Sequence, residues 1–256
     1  MFKISLEQSD IENLPLGSFQ GEIKVIDKPG FDYERAIFYL RRQKLLGFDT
    51  ESRPVFAPGQ RNHGVALLQL SGPDRAYLFR LQGLGLRRSL CGVLANKNII
   101  KVGAAVLDDV HGLQKLRKFT PGGFVDLQKI AWEYGIRDKS VKKLAANILG
   151  CRISKAQQLS NWEAAELTPP QCAYAATDAW VCREMFLKLQ ECEKHPLSPE
   201  ELLPPQDRAA HEAAVERKEA NIAAEKARAG TSKRKRRRRK KKPADNGQDN
   251  TEKGQG

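Results

Sequence analysis

The chain has 256 residues, with 44 lysines and arginines against 31 aspartates and glutamates, and therefore a net charge of +13. This length suits one or two domains, and no apolar run reaches the roughly 18–20 residues that a membrane span needs, so we expect no membrane partner. The surplus of positive charge points to a polyanion, nucleic acid first, although many basic proteins are merely soluble and sticky.

The five cysteines form no C-x-x-C pair, which makes a zinc knuckle an unattractive interpretation. Their odd number and irregular spacing favour reduced thiols. No basic-then-apolar leader follows Met1. We therefore expect a soluble intracellular protein, cytoplasmic or, in a eukaryotic host, nuclear.

Apolar runs and amphipathic stretches alternate from about residue 20 to 195, which predicts an α/β domain. Five strands are predicted, at residues 22–27, 44–51, 65–71, 76–81 and 98–103. Helices are predicted at residues 32–43, 86–96, 108–118, 125–135, 140–150 and 169–192. Because the hairpins come early and the helices late, we expect a mixed sheet covered by helices.

Composition divides the chain into an N-terminal extension (1–21), the α/β domain (22–195), a charged and partly helical linker (196–232) and a basic tail (233–256). From Asp207 onward there are 16 lysines and arginines against 8 acids, so +8 of the +13 lies outside the domain. We expect the tail, helical or disordered, to tether polyanions non-specifically. A solvated tail without a specific role, or a nuclear address, is the alternative.

Two carboxylates end the second predicted strand, in the stretch GFDTES (47–52). Asp49 and Glu51 are two residues apart and so share one face of the strand, where like charges repel and resist leaving water. A divalent cation would compensate for this repulsion. An ordinary turn at a strand end is the competing interpretation.

Further acids come from two other segments. Asp108 and Asp109 enter a predicted helix directly after the fifth strand, where acids also simply favour the helix dipole. Tyr174 and Asp178 are four residues apart and share a helix face, in an alanine-rich pattern that would make an unpaired acid costly to bury. A surface aspartate bonded to a tyrosine hydroxyl is the alternative here.

If the acids converge, they can hold two hard cations, Mg²⁺ or Mn²⁺, through oxygen ligands. Such a pair clamps the attacking and leaving oxygens of a phosphodiester displacement. The tyrosine hydroxyl would orient the attacking water. The chemistry that this combination favours is phosphoryl transfer to water, with nucleic acid nearby. The four acids concerned are Asp49, Glu51, Asp109 and Asp178.

These stretches resemble the DEDD (DnaQ-like) superfamily of 3′→5′ exonucleases. LLGFDTES resembles its first motif, IKVGAAVLDD its second, whose spacing selects Asp109, and LSNWEAAELTPPQCAYAATDAW (159–180) its third. Ala173 stands where the histidine type needs its residue, and Tyr174 fits the tyrosine (DEDDy) type. Within that type the chain is most similar to the branch of RNase D and the Werner-helicase exonuclease domain.

The resemblance implies a ribonuclease-H-like fold, a mixed five-stranded sheet with helices on both faces, and release of 5′-mononucleotides from a 3′ end of DNA or RNA. It implies two divalent ions, an inner one held by Asp49, Glu51 and Asp178 and an outer one that Asp109 helps to hold. Tyr174 would position the nucleophile, and the backbone of Thr50 would approach the terminal nucleotide. We expect no haem or nucleotide cofactor.

The same sequence leaves other functions open. The chain could be an RNase D-like factor that processes RNA 3′ ends, or a non-catalytic module that binds nucleic acid or ribosomes and keeps the fold. Trp162 is expected to pack under the last helix, and His111 to be non-catalytic. Arg61 and His63 could touch a phosphate, and Lys142 and Lys143 could line a groove, but solvated positions explain these four equally well.

Overall fold

A computed structural model describes residues 1–54 and 64–204 and, except for 205, 209 and 212, the residues up to 222. One compact unit spans Met1–Leu202, and a second begins at Leu203, whose described residues from 206 onward are helical. The predictions for Arg61, His63 and the basic tail lie outside the described residues. The predicted boundaries after residues 21, 195 and 232 stay predictions.

A single mixed sheet organises the first unit. Its strands are β1 (Glu22–Ile26), β2 (Leu45–Ser52), β3 (Val65–Ser71), β4 (Arg75–Arg80), β5 (Ile100–Gly103) and β6 (Phe124–Asp126). Their spatial order is β1-β4-β3-β2-β5-β6, and only β3 runs antiparallel to its neighbours. The predicted mixed α/β class is confirmed, but the described sheet has six strands instead of five.

Nine helices are assigned among the described residues of the first unit. They are α1 (Gln8–Glu12), α2 (Phe31–Arg41), α3 (Leu81–Leu84), α4 (Arg88–Ala95), α5 (Val106–Leu116), α6 (Leu127–Ile130), α7 (Val141–Leu149), α8 (Pro169–Gln190) and α9 (Pro199–Leu202). A 3₁₀ turn, Ala131–Tyr134, follows α6. Among the described helices, none combines the length and the apolar character that crossing a membrane requires.

The longest helix, α8, has a well-defined start. Thr168 caps it and exchanges hydrogen bonds with Gln171 in a capping box, and Pro169 occupies the first helical position, where no backbone donor is missed. These local signals fix where the helix begins, and therefore where Tyr174 and Asp178 lie along it.

Alternate residues of the strands pack on opposite faces of the sheet. Leu68, Leu70 and Phe79 belong to a core cluster with α2, α4 and α5, whereas Leu67 and Leu78 pack with Trp162 and Ala175 of the α8 side. Helices therefore cover both faces, as the sequence predicts.

The first 21 residues pack onto the same unit. Leu6, Ile11 and Phe19 are buried, and Leu16 forms a parallel bridge with Arg152. The backbone N–H of Phe19 donates to the Thr177 hydroxyl of α8 at 3.1 Å. This segment is thus part of the core and contacts the helix that carries Asp178.

Candidate active site

Strand β2 presents Asp49, Thr50 and Glu51 where it extends past its neighbour. Its pairing with β5 ends at Gly47, so the three following residues of interest lie beyond that strand. Leu46 and Phe48 face the α2 side, and by alternation Asp49 and Glu51 face α8 while Thr50 faces the other way. The strand therefore delivers two carboxylates to one face and a hydroxyl to the other.

Helix α8 comes unusually close to β2 at Gly47. A Cβ atom at this glycine would lie 1.8 Å from the Ala179 carbonyl oxygen, so no larger residue fits. The close contact places Asp178 against the strand. One carboxylate oxygen each of Asp49, Glu51 and Asp178 lies within 4.8 Å of the others, and this group could hold a metal ion.

Asp109 lies beside this group of three but is not part of it. Thr50 Oγ1 donates a hydrogen bond of 2.5 Å to Asp109 Oδ1, whereas Asp108 is exposed. Helix α5 follows Ala105, whose φ of 58° is left-handed and whose N–H donates to Asp126 Oδ1 at 3.1 Å. This tight turn rotates the first turn of α5 so that Asp109, and not Asp108, faces the carboxylates.

Burial raises the pKa of all four carboxyls, and repulsion from nearby acids adds to the rise at Asp49, Glu51 and Asp109. Burial first, and then Asp178, Glu51 and Asp109, hold the pKa of Asp49 well above its usual range. Burial, followed by Asp178 and Asp109, raises the pKa of Glu51 to about 8. Burial likewise raises the pKa of Asp178 to about 7 and that of Asp109 to about 6. A cation would relieve this cost, since it favours the ionised forms.

Tyr174 lies one helical turn before Asp178 and acts on it directly. A side-chain hydrogen bond from its phenol opposes the rise in the Asp178 pKa, and burial followed by the nearby acids raises the pKa of Tyr174 itself. The phenol therefore stays protonated and can donate a hydrogen bond. Tyr174 and Asp178 also line a cavity of about 190 Å³ whose far wall includes Leu16, Gly17 and Ser18.

Three further groups at this edge were missed from the sequence. Gln69 pairs with Asp49 across the β2–β3 ladder, is fully buried, and its amide atoms have no hydrogen-bond partner among the described residues. Lys155 lowers the pKa of Asp178, and Asp126 adds to the rise at Asp109. Of these three groups, only Gln69 has a visible sequence signal, because it is a lone glutamine in the apolar run VALLQLS.

The structure places the secondary candidates in different surroundings. Trp162 is buried, 1% exposed, with its ring 5.9 Å from the Tyr174 ring, as expected for a packing role. Lys143 forms a 3.3 Å ion pair with Asp138, and Lys142 reaches Gln8. His111 is exposed on α5. The expectations for their roles stay predictions.

Comparison with known proteins gives a consistent family. A profile described as 3′-5′ exonuclease matches residues 28–192. The mouse bifunctional 3′-5′ exonuclease/ATP-dependent helicase WRN is 30% identical over 197 residues, 73% of this chain and 14% of the relative. Ribonuclease D of Gluconacetobacter diazotrophicus is 30% identical over 156 residues, 59% of this chain and 38% of the relative.

A solved structure extends the likeness to the fold. The Trypanosoma brucei RNase D complex with RNA U12 superposes with a TM-score of 0.59 at 18% identity, over 67% of this chain and 63% of that one. The expected ribonuclease-H-like architecture is confirmed. This chain spans less than half the length of either of the two sequence relatives.

Proposed function

This chain belongs to the 3′-5′ exonuclease family, and on that premise we propose that it hydrolyses phosphodiester bonds at the 3′ end of DNA or RNA and releases 5′-mononucleotides. The observation that carries the proposal is the meeting of Asp49, Glu51 and Asp178, with oxygens within 4.8 Å of one another, next to a tyrosine on the same helix face.

The carboxylates have the donor chemistry of a site for two divalent ions. Asp49, Glu51 and Asp178 would hold one, and Asp109, fixed by Thr50, would help to hold the other. Mg²⁺ or Mn²⁺ bound there would neutralise charge on the attacking and leaving oxygens. All-oxygen ligand sets suit these hard cations.

Tyr174 would supply the group that orients the water, and its position on α8 beside Asp178 supports assignment to the tyrosine subclass. Its pKa is raised, so it acts as a hydrogen-bond donor and not as a base. The water oxygen bonds to phosphorus as the bond from phosphorus to the 3′ oxygen of the preceding nucleotide breaks, and the proton that the water loses balances the one that this 3′ oxygen takes up. The products are a shortened strand with a 3′ hydroxyl and a nucleotide that keeps its 5′ phosphate.

The cavity beside Tyr174 supports a position for the substrate on the α8 side of the carboxylates. Thr50, between the two acids of β2, is near enough for its backbone to approach the terminal nucleotide. Its side chain meanwhile holds Asp109.

Digestion of matched DNA and RNA strands tests the proposal. Purified protein with Mg²⁺ or Mn²⁺ should shorten a 5′-labelled strand progressively from its 3′ end, and the rate ratio on the two strands identifies the preferred substrate. Asp178→Ala should be inactive. Intact single strands and recessed duplexes with both metals would refute the proposal, and tight RNA binding without metal uptake in calorimetry would favour a non-catalytic module.

A further inference from the structure

The outer face of α2 carries two aromatic rings in water. Phe31 and Phe38 are 76% and 65% exposed and, seven residues apart, lie on one face of the helix. The Arg35 guanidinium lies 5.4 Å from the Phe31 ring centroid, and that of Arg42 lies 5.3 Å from the Phe38 ring centroid. Rings and cations thus alternate along a stripe.

Two neighbouring grooves extend this stripe. The first, about 620 Å³, includes the stripe, and the second, about 520 Å³, lies toward the start of α4; Glu34 lines both. Arg75 of the first groove is paired with Glu22 at 3.1 Å and contributes little free charge. We call the two exposed rings and the other five arginines of these grooves the arginine–aromatic surface. It comprises Phe31, Arg35, Phe38, Arg42, Arg87, Arg88 and Arg117.

We propose that the arginine–aromatic surface is a second nucleic-acid site, which binds single-stranded nucleic acid away from the carboxylates. Bases would stack on the exposed rings, and guanidinium groups would bind phosphates. The proposal rests on the proposed function only for its choice of substrate: the strand held here is the one whose 3′ end reaches the carboxylates.

The combination of groups favours a single strand over other polyanions. An acidic protein segment would use the five arginines of this surface but leave both rings in water, and a duplex hides the faces of its bases. Charge on the lining residues is also complementary, since Glu34 is the one acid among them. Unpaired bases and a phosphate chain satisfy rings and arginines together.

The surface also reaches the correct edge of the sheet. Strands β1 and β2 point the same way. Strand β1 runs parallel to β4, and both β4 and β2 run antiparallel to β3. The end of β1 at Ile26 therefore lies on the edge that carries Asp49, and α2 begins five residues later at Phe31. The carboxylates lie on the opposite face of the sheet, so a strand bound along α2 would pass around this shared edge to reach them.

Strand binding by the full chain without metal tests the site. Anisotropy of labelled oligouridylate and oligothymidylate should show Phe31→Ala/Phe38→Ala binding about tenfold more weakly, as expected when base stacking is lost. The difference should persist at high salt, where the basic tail contributes little. Arg35→Ala/Arg42→Ala should reduce the slope of log affinity against log salt by about 1.4.

Matched controls separate this surface from net charge. Lys129→Ala/Lys139→Ala removes the same charge from exposed positions around α6, and Trp132→Ala removes an exposed ring there. Both should bind strands as the wild type does at high salt. Equal losses in controls and surface variants would overturn the proposal, as would surface variants that lose only the binding of polyglutamate.

Hydrolysis kinetics distinguish this inference from the proposed activity. The surface variants should raise KM on long strands with kcat unchanged and leave cleavage of a dinucleotide unaltered. If the wild type cleaves nothing but loses strand binding in these variants, the site stands and the activity fails. If cleavage is normal and the variants bind and cleave long strands as the wild type does, the site fails and the activity stands.

Discussion

The carboxylate edge and the arginine–aromatic surface lie on one domain and make opposite electrostatic demands. At the edge, the pKa values of four acids are raised, chiefly by burial and at Asp49 and Glu51 also by their neighbours, and Lys155 is a cation that acts on Asp178. On the surface, exposed guanidinium groups lie over exposed rings. The edge repels phosphate until a cation is bound, whereas the surface can attract a strand unaided, so binding and cleavage should be separable.

The largest expected effect is at the edge. Asp49→Asn removes the charge of one proposed metal ligand and should lower hydrolysis by on the order of 10³-fold or more, since ion clamping provides several kcal/mol. Strand binding at the arginine–aromatic surface should be unchanged. Without metal, the variant should melt at a higher temperature than wild type, because it no longer buries a repelling carboxyl.

Asp108→Asn is the matched control, because Asp108 is exposed and directly precedes Asp109. It should leave both the rate and the melting temperature as in the wild type. A loss of activity in this variant comparable to that of Asp49→Asn would contradict the assignment of the inward acid.

Tyr174→Phe should have the next largest effect, a fall in kcat of about 100-fold, as expected when a reactant is misplaced by the loss of one orienting group. KM should change little, because in the proposed mechanism the phenol orients water and does not anchor the strand. Steady-state kinetics on a long strand measure both constants. An equal fall in a Phe31→Ala/Phe38→Ala variant would break the separation between edge and surface.

Gly47→Ala tests how strongly the edge depends on the contact between β2 and α8. The new Cβ would meet the Ala179 carbonyl at 1.8 Å, so unfolding free energy should fall by about 3 kcal/mol or more. Gly92→Ala on α4 meets nothing closer than 3.7 Å and should stabilise by about 0.5–1 kcal/mol. Denaturant melts measure both, and equal effects would contradict the packing argument.

The smallest effect concerns pH. Folded pKa values of about 6 to 8 at Asp109, Asp178 and Glu51 exceed the ordinary 3.8 to 4.5, so the folded state binds more protons than the unfolded state. The contribution of these three groups to stability without metal is therefore greatest near pH 4 and should be lost as pH rises to about 8. Melts in chelator should show this fall, and Mg²⁺ or Mn²⁺ should remove it. A rise over the same range would refute it.

Much of the fold was accessible from sequence because its long elements are strongly patterned. Strand β2 was predicted at 44–51 and observed at Leu45–Ser52, and α8 at 169–192 and observed at Pro169–Gln190. The helix predicted at 125–135 was wrong at its start. Phe124–Asp126 is a strand of three residues, too short to show the alternation of apolar and polar residues that identifies a strand. Asp126 caps helix α6, which follows it.

The site was accessible only where chemistry and spacing coincide. The pair Asp49 and Glu51 on β2 and the pair Tyr174 and Asp178 on α8 stand out in the sequence, because an acid that is buried without a partner is costly. The relation of Gln69 to Asp49 does not stand out, since it arises from strand pairing between residues 20 apart in sequence. The stripe on α2 was also missed, because Phe31 and Phe38 in an amphipathic pattern are expected to face the core, whereas Tyr33, Ile37 and Leu40 fill it.

The bridge between Leu16 and Arg152 has a practical consequence for anyone who shortens this protein. The family profile begins at residue 28, yet Leu6, Ile11 and Phe19 are buried in the same unit. A fragment trimmed to the profile would expose their contact surfaces on α7 and α8 and remove one wall of the cavity beside Tyr174. The bounds of the family profile are therefore unsafe limits for an expressed fragment, and the residues before 28 should be kept.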